Sequence, residues 1–304
     1  MKKGIIFAVL ATLISGWAVF INKYALANWA SSDLYTTEKN IIAALLLSSI
    51  FLGIGYRKKL RELNFKGWCK LVLIALIGGS VPFILFFKGL SISPAPGAAF
   101  WNKTLFIWVA ILAIPILKEK LTKIQLGALI VLIMGNLALF WPKSLVFDIS
   151  IIFILGATVL WALEYILAKK FMSNISPEVL SWGRMFIGSI ILMLYLVLSG
   201  KGAPMAWITM VQIPWLLVVG LTLSFYVLTW YKTLKLIPAT YAAAILTAAS
   251  PITTLLDKYF GTGKIPHNFG LYATVILLAI AILIVNYKIK TLSNFFRNVR
   301  FLIF

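Results

Sequence analysis

The chain has 304 residues, of which 62% are hydrophobic and 12% are charged, and its mean hydropathy is +1.00. Soluble domains contain about 45–50% apolar and about 25% charged residues, so this chain has too little polar sequence to cover a soluble core. The formal charge of +20 would suggest nucleic acid in a soluble protein, but in a membrane protein it marks cytoplasmic loops. The composition therefore predicts an integral membrane protein with no nucleic-acid partner.

Long apolar runs divide the chain into predicted membrane spans. A helix that crosses the hydrocarbon layer needs about 20 mostly apolar residues. Ten such runs, separated by charge clusters and turn residues, cover 4–22, 37–55, 67–88, 96–117, 124–141, 149–168, 178–199, 213–234, 239–257 and 269–287. The connections between them are short. We therefore expect an all-α membrane protein with ten transmembrane helices and no inserted soluble domain.

The basic residues divide unequally between the two ends of these spans. Most of the 28 Lys and Arg residues lie at one end, at Lys2, Lys3, Arg57, Lys58, Lys59, Arg61, Lys66, Lys118, Lys120, Lys123, Lys169, Lys170, Lys232, Lys235, Lys288, Lys290, Arg297 and Arg300. The loops at the other end have Lys23, Lys143, Lys201, Lys258 and Lys264, one or two per loop. Cytoplasmic loops are the ones enriched in Lys and Arg. Both termini are therefore predicted to be cytoplasmic, in a protein of the cytoplasmic membrane.

The C-terminal residues 289–304 mix basic and aromatic side chains, among them Lys290, Arg297, Phe295 and Phe296. This composition is typical of a basic amphipathic segment that lies on an anionic cytoplasmic leaflet. A disordered, solvated tail is the alternative.

Two segments of the chain repeat each other. Residues 86–99 and 230–243 match at a shift of 144, with an aromatic pair, a Lys, a Leu, Pro-Ala and Ala-Ala in register. Chance matching between Ala- and Leu-rich helices is the alternative, but the whole pattern of spans recurs as well. We expect one five-helix repeat over residues 1–143 and a second over 144–288.

An odd number of spans in each repeat has a topological consequence. The second copy must enter the membrane from the opposite side, so the repeats are inverted. Secondary transporters recurrently use inverted repeats, with the substrate near the bilayer midplane between the halves. The repeat pattern therefore favours a transporter that works by alternating access.

Several short motifs permit comparison with a known family. They are Pro94-Ala95-Pro96-Gly97-Ala98-Ala99, Pro238-Ala239-Thr240-Tyr241-Ala242-Ala243, the loop Leu117-Lys118-Glu119-Lys120-Leu121 with Gln125-Leu126-Gly127, and Ser250-Pro251. With these motifs the chain resembles the EamA-type branch of the drug/metabolite transporter superfamily over nearly its whole length. It departs from the family pattern at Lys264, where a loop Glu is usual, and at Phe106, where a mid-helix Pro is usual. The resemblance implies a ten-helix carrier of small polar metabolites, often amino acids or related compounds, and commonly an exporter.

Four charged residues within the spans are candidates for function. A charge at mid-helix costs about 2.5–3.5 kcal/mol on insertion scales, so such residues should face a cavity or a partner. Lys103, Glu164 and Arg184 lie inside spans four, six and seven, and Lys39 lies near the mouth of span two. The full set of candidate substrate-binding residues is Lys103, Asn102, Trp101, Arg184, Glu164, Trp161, Lys39 and Glu38.

Depth along the helices predicts an ion pair between Glu164 and Arg184, because both lie about six residues from the same turn, roughly 9 Å deep. The pair could be a static staple between two helices or a substrate-binding or proton-sensing pair. For Lys103, two interpretations also stay open. Its ammonium could snorkel to the headgroups, or Glu38, Asp257 or a substrate anion could neutralise it.

The sequence therefore predicts a secondary transporter of a small polar metabolite, either amino acid-like or an organic anion. A lipid-carrier flippase and, less favoured, a membrane enzyme for lipid-linked substrates are the alternatives. No phosphate-binding Gly-Lys loop or catalytic set is apparent, and the chain has one His and one Cys. We expect no enzyme activity, no cofactor and no metal. The expected partners are a small-molecule substrate and the lipid bilayer, and a homodimer stays open.

Overall fold

The computed structural model describes residues 2–53, 55–93, 95–140, 148–202, 208–261, 264–265 and 267–303. The regular elements of these residues are all helical. In chain order they are α1 (Lys2–Leu26), α2 (Ser32–Gly53), α3 (Arg57–Arg61), α4 (Phe65–Ile74), a π-helical segment (Ala75–Ser80), α5 (Val81–Ile92), α6 (Ala95–Lys103), α7 (Leu105–Leu117), α8 (Lys123–Phe140), α9 (Ile149–Phe171), α10 (Pro177–Leu198), α11 (Gln212–Leu236), α12 (Ala239–Leu246), α13 (Ala249–Phe260) and α14 (Phe269–Ile303).

Within the described ranges, 8 helical stretches are long and apolar enough to cross a membrane. Two further helices complete the predicted set: α2, which carries Asp33, Glu38 and Lys39, and α8, whose apolar stretch is shorter. The prediction of an all-α membrane protein with ten transmembrane helices in two five-helix repeats is confirmed. Three of the ten spans, however, are not single regular helices.

Span nine is interrupted at Thr247 and Ala248, between α12 and α13. Pro251 explains the position, because proline has no N–H to donate to the carbonyl of Thr247, four residues earlier. The break lies one turn before Pro251. A proline removes a hydrogen bond of the preceding turn, so the helix is interrupted in that turn.

Span four is interrupted at Thr104, between α6 and α7, at the position equivalent to Ala248. The two residues have nearly the same backbone angles, φ −62° and ψ −9° at Thr104 and φ −63° and ψ −9° at Ala248. Phe106 stands where the family usually has a proline, so no local proline causes this break. At this break the Thr104 hydroxyl donates a hydrogen bond to the Trp101 carbonyl at 2.7 Å.

Span three contains the π-helical segment, which the sequence analysis did not predict. The segment includes Gly78 and Gly79 and ends immediately before α5, whose second residue is Pro82. Pi-helical turns are rare and occur mostly at functional sites. This one lies against α9 and α10, where the candidate residues Glu164 and Arg184 lie.

The helices pack as a bundle with one peripheral pair. The fifth helices of the two repeats, α8 and α14, pack mainly against each other. The others form the centre, where α1 packs on α11 and α13, α9 on α5 and α7, and α2 on α10. The interior of the protein therefore lies between helices of both repeats, and α8 and α14 stand outside it.

Each repeat contains an equivalent lysine contact between its first and third spans. Lys23, at the end of α1, donates hydrogen bonds to the carbonyls of Leu90 and Ser93 at the end of α5, at 3.1 and 3.0 Å. Lys169, at the end of α9, donates to the equivalent carbonyls of Leu234 and Ile237 at the end of α11, both at 2.6 Å. Each lysine satisfies carbonyls that a helix end leaves open.

Two predictions, the boundary between the repeats and the amphipathic tail, concern residues that the structure does not fully describe. The boundary between repeats at 143–144, with Lys143, lies outside the described residues. The expected tail over 289–304 is continuous with α14, which extends to Ile303. The side chains of the tail from residue 290 onward lie outside the description, so its amphipathic character stays a prediction.

Candidate functional site

A cavity of about 100 Å³ lies in the centre of the bundle. Side chains from α1, α2, α5, α6, α7, α9, α10, α11 and α12 line it, so both repeats contribute. The cavity is smaller than the roughly 300–1,000 Å³ of pockets for drug-sized ligands. It therefore fits a small molecule.

Lys103 lines this cavity and is buried, with 3% of its surface exposed. Its Nζ donates a hydrogen bond to Ser15 Oγ on α1, at 3.0 Å. The snorkelling interpretation is therefore wrong, because the side chain points to the centre of the bundle. Asn102 lines the cavity as well. Trp101 does not, since residues two apart on a helix face opposite sides, and its ring packs on Phe100.

Lys39 also lines the cavity, with 2% of its surface exposed. Its Nζ lies 3.1 Å from Asn22 Oδ1 and 3.6 Å from the centroid of the Phe87 ring. The neighbouring Glu38 does not line the cavity, and its Oε2 accepts a hydrogen bond from Trp29 Nε1 at 2.8 Å. The partners of Lys39 are thus a neutral amide and an aromatic face.

The predicted ion pair between Glu164 and Arg184 is confirmed, with 3.3 Å between Glu164 Oε2 and Arg184 Nη1. Both side chains are almost completely buried. Arg184 lines the cavity, and Glu164 lies behind it, where it also accepts a hydrogen bond from the Tyr231 hydroxyl. Arg184 Nε has no hydrogen-bond partner among the described residues. The guanidinium therefore has donor capacity left for a ligand.

The π-helical segment permits the close packing around this ion pair. A Cβ atom on Gly78 would overlap the Glu164 side chain, and one on Gly79 would overlap the backbone carbonyl of Arg184. Pro82 cannot donate to the Gly78 carbonyl, and Trp161 Nε1 donates to it instead, at 3.0 Å. This bond fixes the Trp161 ring at the cavity wall.

The acidic residues of the chain provide only one negative charge near the cavity. All 8 belong to the described part of the chain. Asp33 binds Lys201, Glu38 binds Trp29, Asp257 accepts from Tyr24, and Glu119 caps α12. The remaining three besides Glu164 lie at loops or helix starts: Glu62, Asp148 and Glu178. The cavity is therefore lined by three basic side chains, of which only Arg184 has a carboxylate partner.

Aromatic rings form much of the remaining wall, and the sequence analysis missed most of them. Besides Trp161, the rings are Phe83, Phe86, Phe87, Tyr165 and Tyr226. The Phe86–Phe87 pair belongs to the segment that repeats at 230–243, which is the one signal that could have identified it. Aromatic pairs are common in the predicted spans. The sequence alone therefore could not distinguish aromatic residues that line the cavity from those that pack in the core.

A wider depression of about 510 Å³ lies at the end of the bundle that carries few basic residues. Its lining includes Lys23, Lys88, Lys201 and Asp33. Asp33 Oδ2 lies 2.7 Å from Lys201 Nζ, and this hydrogen bond and charge raise the pKa of Lys201. We call this depression the vestibule.

A series of rings separates the vestibule from the cavity. Trp29 lines the vestibule, and its ring centroid lies 5.0 Å from that of Tyr35. The Tyr35 ring is completely buried and lies 5.3 Å from the ring of Phe87, which lines the cavity. We call Trp29, Tyr35 and Phe87 the aromatic layer.

At the opposite end, which carries most of the basic residues, a carboxylate joins the two repeats. Glu119, in the connection between α7 and α8, accepts hydrogen bonds from Ala239 N at 2.7 Å, Thr240 N at 3.2 Å and Thr240 Oγ1 at 2.8 Å. A negative charge at a helix N-terminus is favourable because the first N–H groups have no partner within the helix. Lys264, at the equivalent place in the second repeat, has the wrong charge for this role.

Comparisons with known proteins agree with this architecture. A curated relative, the "Uncharacterized transporter YyaM" of Bacillus subtilis (strain 168), is 26% identical over 199 residues, which are 62% of this chain and 63% of that protein. A solved crystal structure with 14% sequence identity superposes with a TM-score of 0.75 and covers 92% of this chain and 96% of that one, which shows the fold.

The family comparison covers most of the sequence. The profile of the EamA-like transporter family matches twice, over residues 2–141 and 148–287. Members of this family are membrane transporters and not enzymes. The chain is therefore a multi-pass membrane protein that belongs to the EamA-like transporter family.

Proposed function

We propose that this protein is a secondary transporter that moves a small polar metabolite with an anionic group across the cytoplasmic membrane by alternating access. The single observation that carries the proposal is the charge of the cavity. Lys39, Lys103 and Arg184 line it, and only Arg184 has a carboxylate partner. Buried charges need a counter-charge, because the transfer of an isolated ion from water is costly. A substrate anion supplies it.

The relation of the two repeats supports alternating access. The contacts of Lys23 and of Lys169 are equivalent within their repeats, yet they lie at opposite ends of the bundle, since five spans separate them. Two halves that are related by inversion have two nearly equivalent packings, one open to each side. The central cavity between the halves is the place from which a substrate would leave in either direction.

Each end of the bundle carries a contact that could close the cavity. The aromatic layer separates it from the vestibule, and the hydrogen bonds of Glu119 with α12 join the repeats at the basic end. Both contacts must open in turn if the substrate is to cross. Positive charge in the vestibule, from Lys23, Lys88 and Lys201, would raise the local concentration of anions.

Within the cavity we assign roles residue by residue. Lys39, Lys103 and Arg184 would bind the anionic group, Asn102 would add hydrogen bonds, and Trp161 would contact the apolar part of the substrate. Glu164 would orient Arg184. Trp101 and Glu38 lie away from the cavity and are not part of the proposed site.

The distribution of basic residues supports the proposed orientation, in which the basic end and both termini face the cytoplasm. The vestibule would then open to the outside. Coupling to protons and exchange of one substrate for another are both compatible with this arrangement, and the buried Glu164–Arg184 pair is the candidate for a proton-sensitive element.

Uptake into proteoliposomes that contain the full chain tests the proposal. A panel of amino acids, organic acids and phosphate esters would be offered with and without a pH gradient. We expect at least one anionic compound of the panel to accumulate in the proteoliposomes. Lys103→Met should abolish its transport, and the exposed control Lys264→Met should not. Equal transport by native protein and Lys103→Met would contradict the assignment of the site. No transport of any member by monodisperse protein would contradict the function.

A further inference from the structure

The charge of the cavity also indicates the charge of the substrate. We propose that the preferred substrate is a small dianion with a planar, apolar body, such as an aromatic dicarboxylate or an aromatic phosphate ester. This inference rests on the proposed function, and it excludes the zwitterions and monoanions that the general function would admit.

Basic groups outnumber acidic groups around the cavity. The cavity wall has three basic side chains and, behind Arg184, one carboxylate, so two positive charges lack a carboxylate partner when both lysines are protonated. No other carboxylate of the chain lies at the cavity to neutralise the lysines. The seven other acidic side chains lie elsewhere, and most of them have partners of their own. A zwitterion adds no net charge and a monoanion leaves one cation uncompensated. A dianion balances the cavity.

The basic side chains of the cavity retain hydrogen-bond donors. Lys39 donates to Asn22 and Lys103 donates to Ser15, and both acceptors are neutral. An ammonium group has three donor hydrogens, so both lysines retain donors for a ligand. Arg184 Nε is buried without a hydrogen-bond partner among the described residues. Donors from α2, α6 and α10 thus surround the cavity on different sides, an arrangement that suits two separate anionic groups or one doubly charged group.

The cavity wall also has an apolar, aromatic surface. Phe83, Phe86, Phe87 and Trp161 line the cavity beside these cations. Aromatic walls pack well on flat, apolar groups, and their rings prefer stacked or edge-to-face contacts with another ring. The cavity of about 100 Å³ is smaller than the roughly 150 Å³ that holds one benzene molecule, so its wall must widen to admit one ring with its charged groups.

A matched series of ligands on one ring tests the inference by equilibrium binding to the full-length protein in detergent. The probes are benzoate, phthalate, phenyl phosphate and phenylalanine, with succinate as the dianion without a ring. We expect phthalate or phenyl phosphate to bind about tenfold or more tightly than benzoate, since one hydrogen bond to a charged group contributes at least that factor. The comparison of phthalate with phenyl phosphate distinguishes a carboxylate from a phosphate substrate.

Two variants test the charge count itself. Asn102→Asp adds one negative charge to the cavity with almost no change in volume, and Lys103→Met removes one positive charge. Each should reduce the preference for the dianion over benzoate to about threefold or less, because a monoanion then balances the cavity better. Asn174→Asp, which adds the same charge at an exposed loop, should leave the preference unchanged. Elution as a single species in size-exclusion chromatography shows that each variant is folded.

The outcomes separate this inference from the general function. Benzoate or phenylalanine binding as tightly as the dianions, or no binding of any probe, would overturn the dianion inference. The same result would not contradict the proposed carrier function if the protein transports another metabolite into proteoliposomes. Binding of phthalate without its transport would support the charge count and contradict the proposed carrier function. An unchanged preference in folded Asn102→Asp would also overturn the inference.

Discussion

Lys39 Nζ lies 3.6 Å from the centroid of the Phe87 ring, and the equivalent residues of the second repeat, Arg184 and Tyr231, also place a cation near a ring, at 5.8 Å. Each repeat therefore puts one cation of its second span against an aromatic residue of its third. The repeats differ in the counter-charge, because Arg184 has Glu164 and Lys39 has only neutral partners. This difference leaves Lys39 without a carboxylate partner, as Lys103 also is.

Phe87→Leu should weaken the binding of an anionic substrate without preventing folding. The leucine keeps an apolar side chain but removes the aromatic face, and a desolvated cation–π contact contributes about 2 kcal/mol. That energy corresponds to roughly 30-fold, so we expect the KM for transport to rise by up to that factor. We expect Lys39→Met to eliminate transport. Phe225→Leu, at an exposed position on α11, is the matched control. An unchanged KM in folded Phe87→Leu would show that the ring has no part in binding.

Glu164→Gln should be strongly destabilising. Removal of one partner of a buried ion pair leaves the other charge uncompensated, at a cost of about 3–5 kcal/mol. The melting temperature in detergent measures this loss. The double variant Glu164→Gln with Arg184→Met should recover much of the stability because no buried charge remains there.

The same double variant distinguishes a staple from a functional pair. If the pair also binds substrate, the recovered protein should still fail to transport. Full transport activity in the stable double variant would show that the pair is only a staple between α9 and α10.

Glu119→Ala should favour opening at the basic end of the bundle. The substitution removes the acceptor for Ala239 N and Thr240 N, and loss of a helix cap costs about 1 kcal/mol. A free-energy change of that size alters a two-state ratio by about fivefold. Leu246→Cys, in a Cys69→Ser background, places a thiol in the cavity wall.

Labelling of that thiol from the basic side by a membrane-impermeant maleimide should accelerate by about the same factor in Glu119→Ala. Glu62→Ala, in an exposed connection, serves as the control. Equal labelling rates for all three proteins would exclude a closing role for Glu119.

Gly79→Ala should destabilise the protein far more than Gly127→Ala. The added Cβ at Gly79 overlaps the Arg184 carbonyl, and overpacking of a core typically costs about 1–3 kcal/mol. Gly127 has open space around it on α8, so alanine there should be neutral or stabilising by up to about 1 kcal/mol. Thermal unfolding in the same detergent compares the two. A Gly79→Ala protein as stable as Gly127→Ala would contradict the close packing of the π-helical segment on α10.

The predicted orientation can be tested with reporters after Phe304. A green fluorescent protein fusion should fluoresce and an alkaline phosphatase fusion should be inactive, because the former folds in the cytoplasm and the latter outside it. The reverse pattern would invert the bundle and place the vestibule at the cytoplasmic side.

The sequence by itself determined the class of the protein and most of its architecture. Hydropathy predicts ten spans because a helix must be about 20 apolar residues long to cross a bilayer. The repeat at a shift of 144 predicts two halves, and the rarity of charge in hydrocarbon points to Lys103, Glu164 and Arg184. The depth of Glu164 and Arg184 was sufficient to predict their ion pair, since it depends only on helix rise and on the turn between neighbouring helices.

Only the tertiary structure decided which of these residues share a cavity. The direction of a side chain around a helix depends on packing, so the sequence could not separate Asn102 from Trp101 or Lys39 from Glu38. The break at Thr104 has no local proline, and the π-helical segment has no simple sequence signal. The absence of a carboxylate beside Lys39 and Lys103 was also invisible, because counter-charges come from distant parts of the chain and are found only when the helices are packed together.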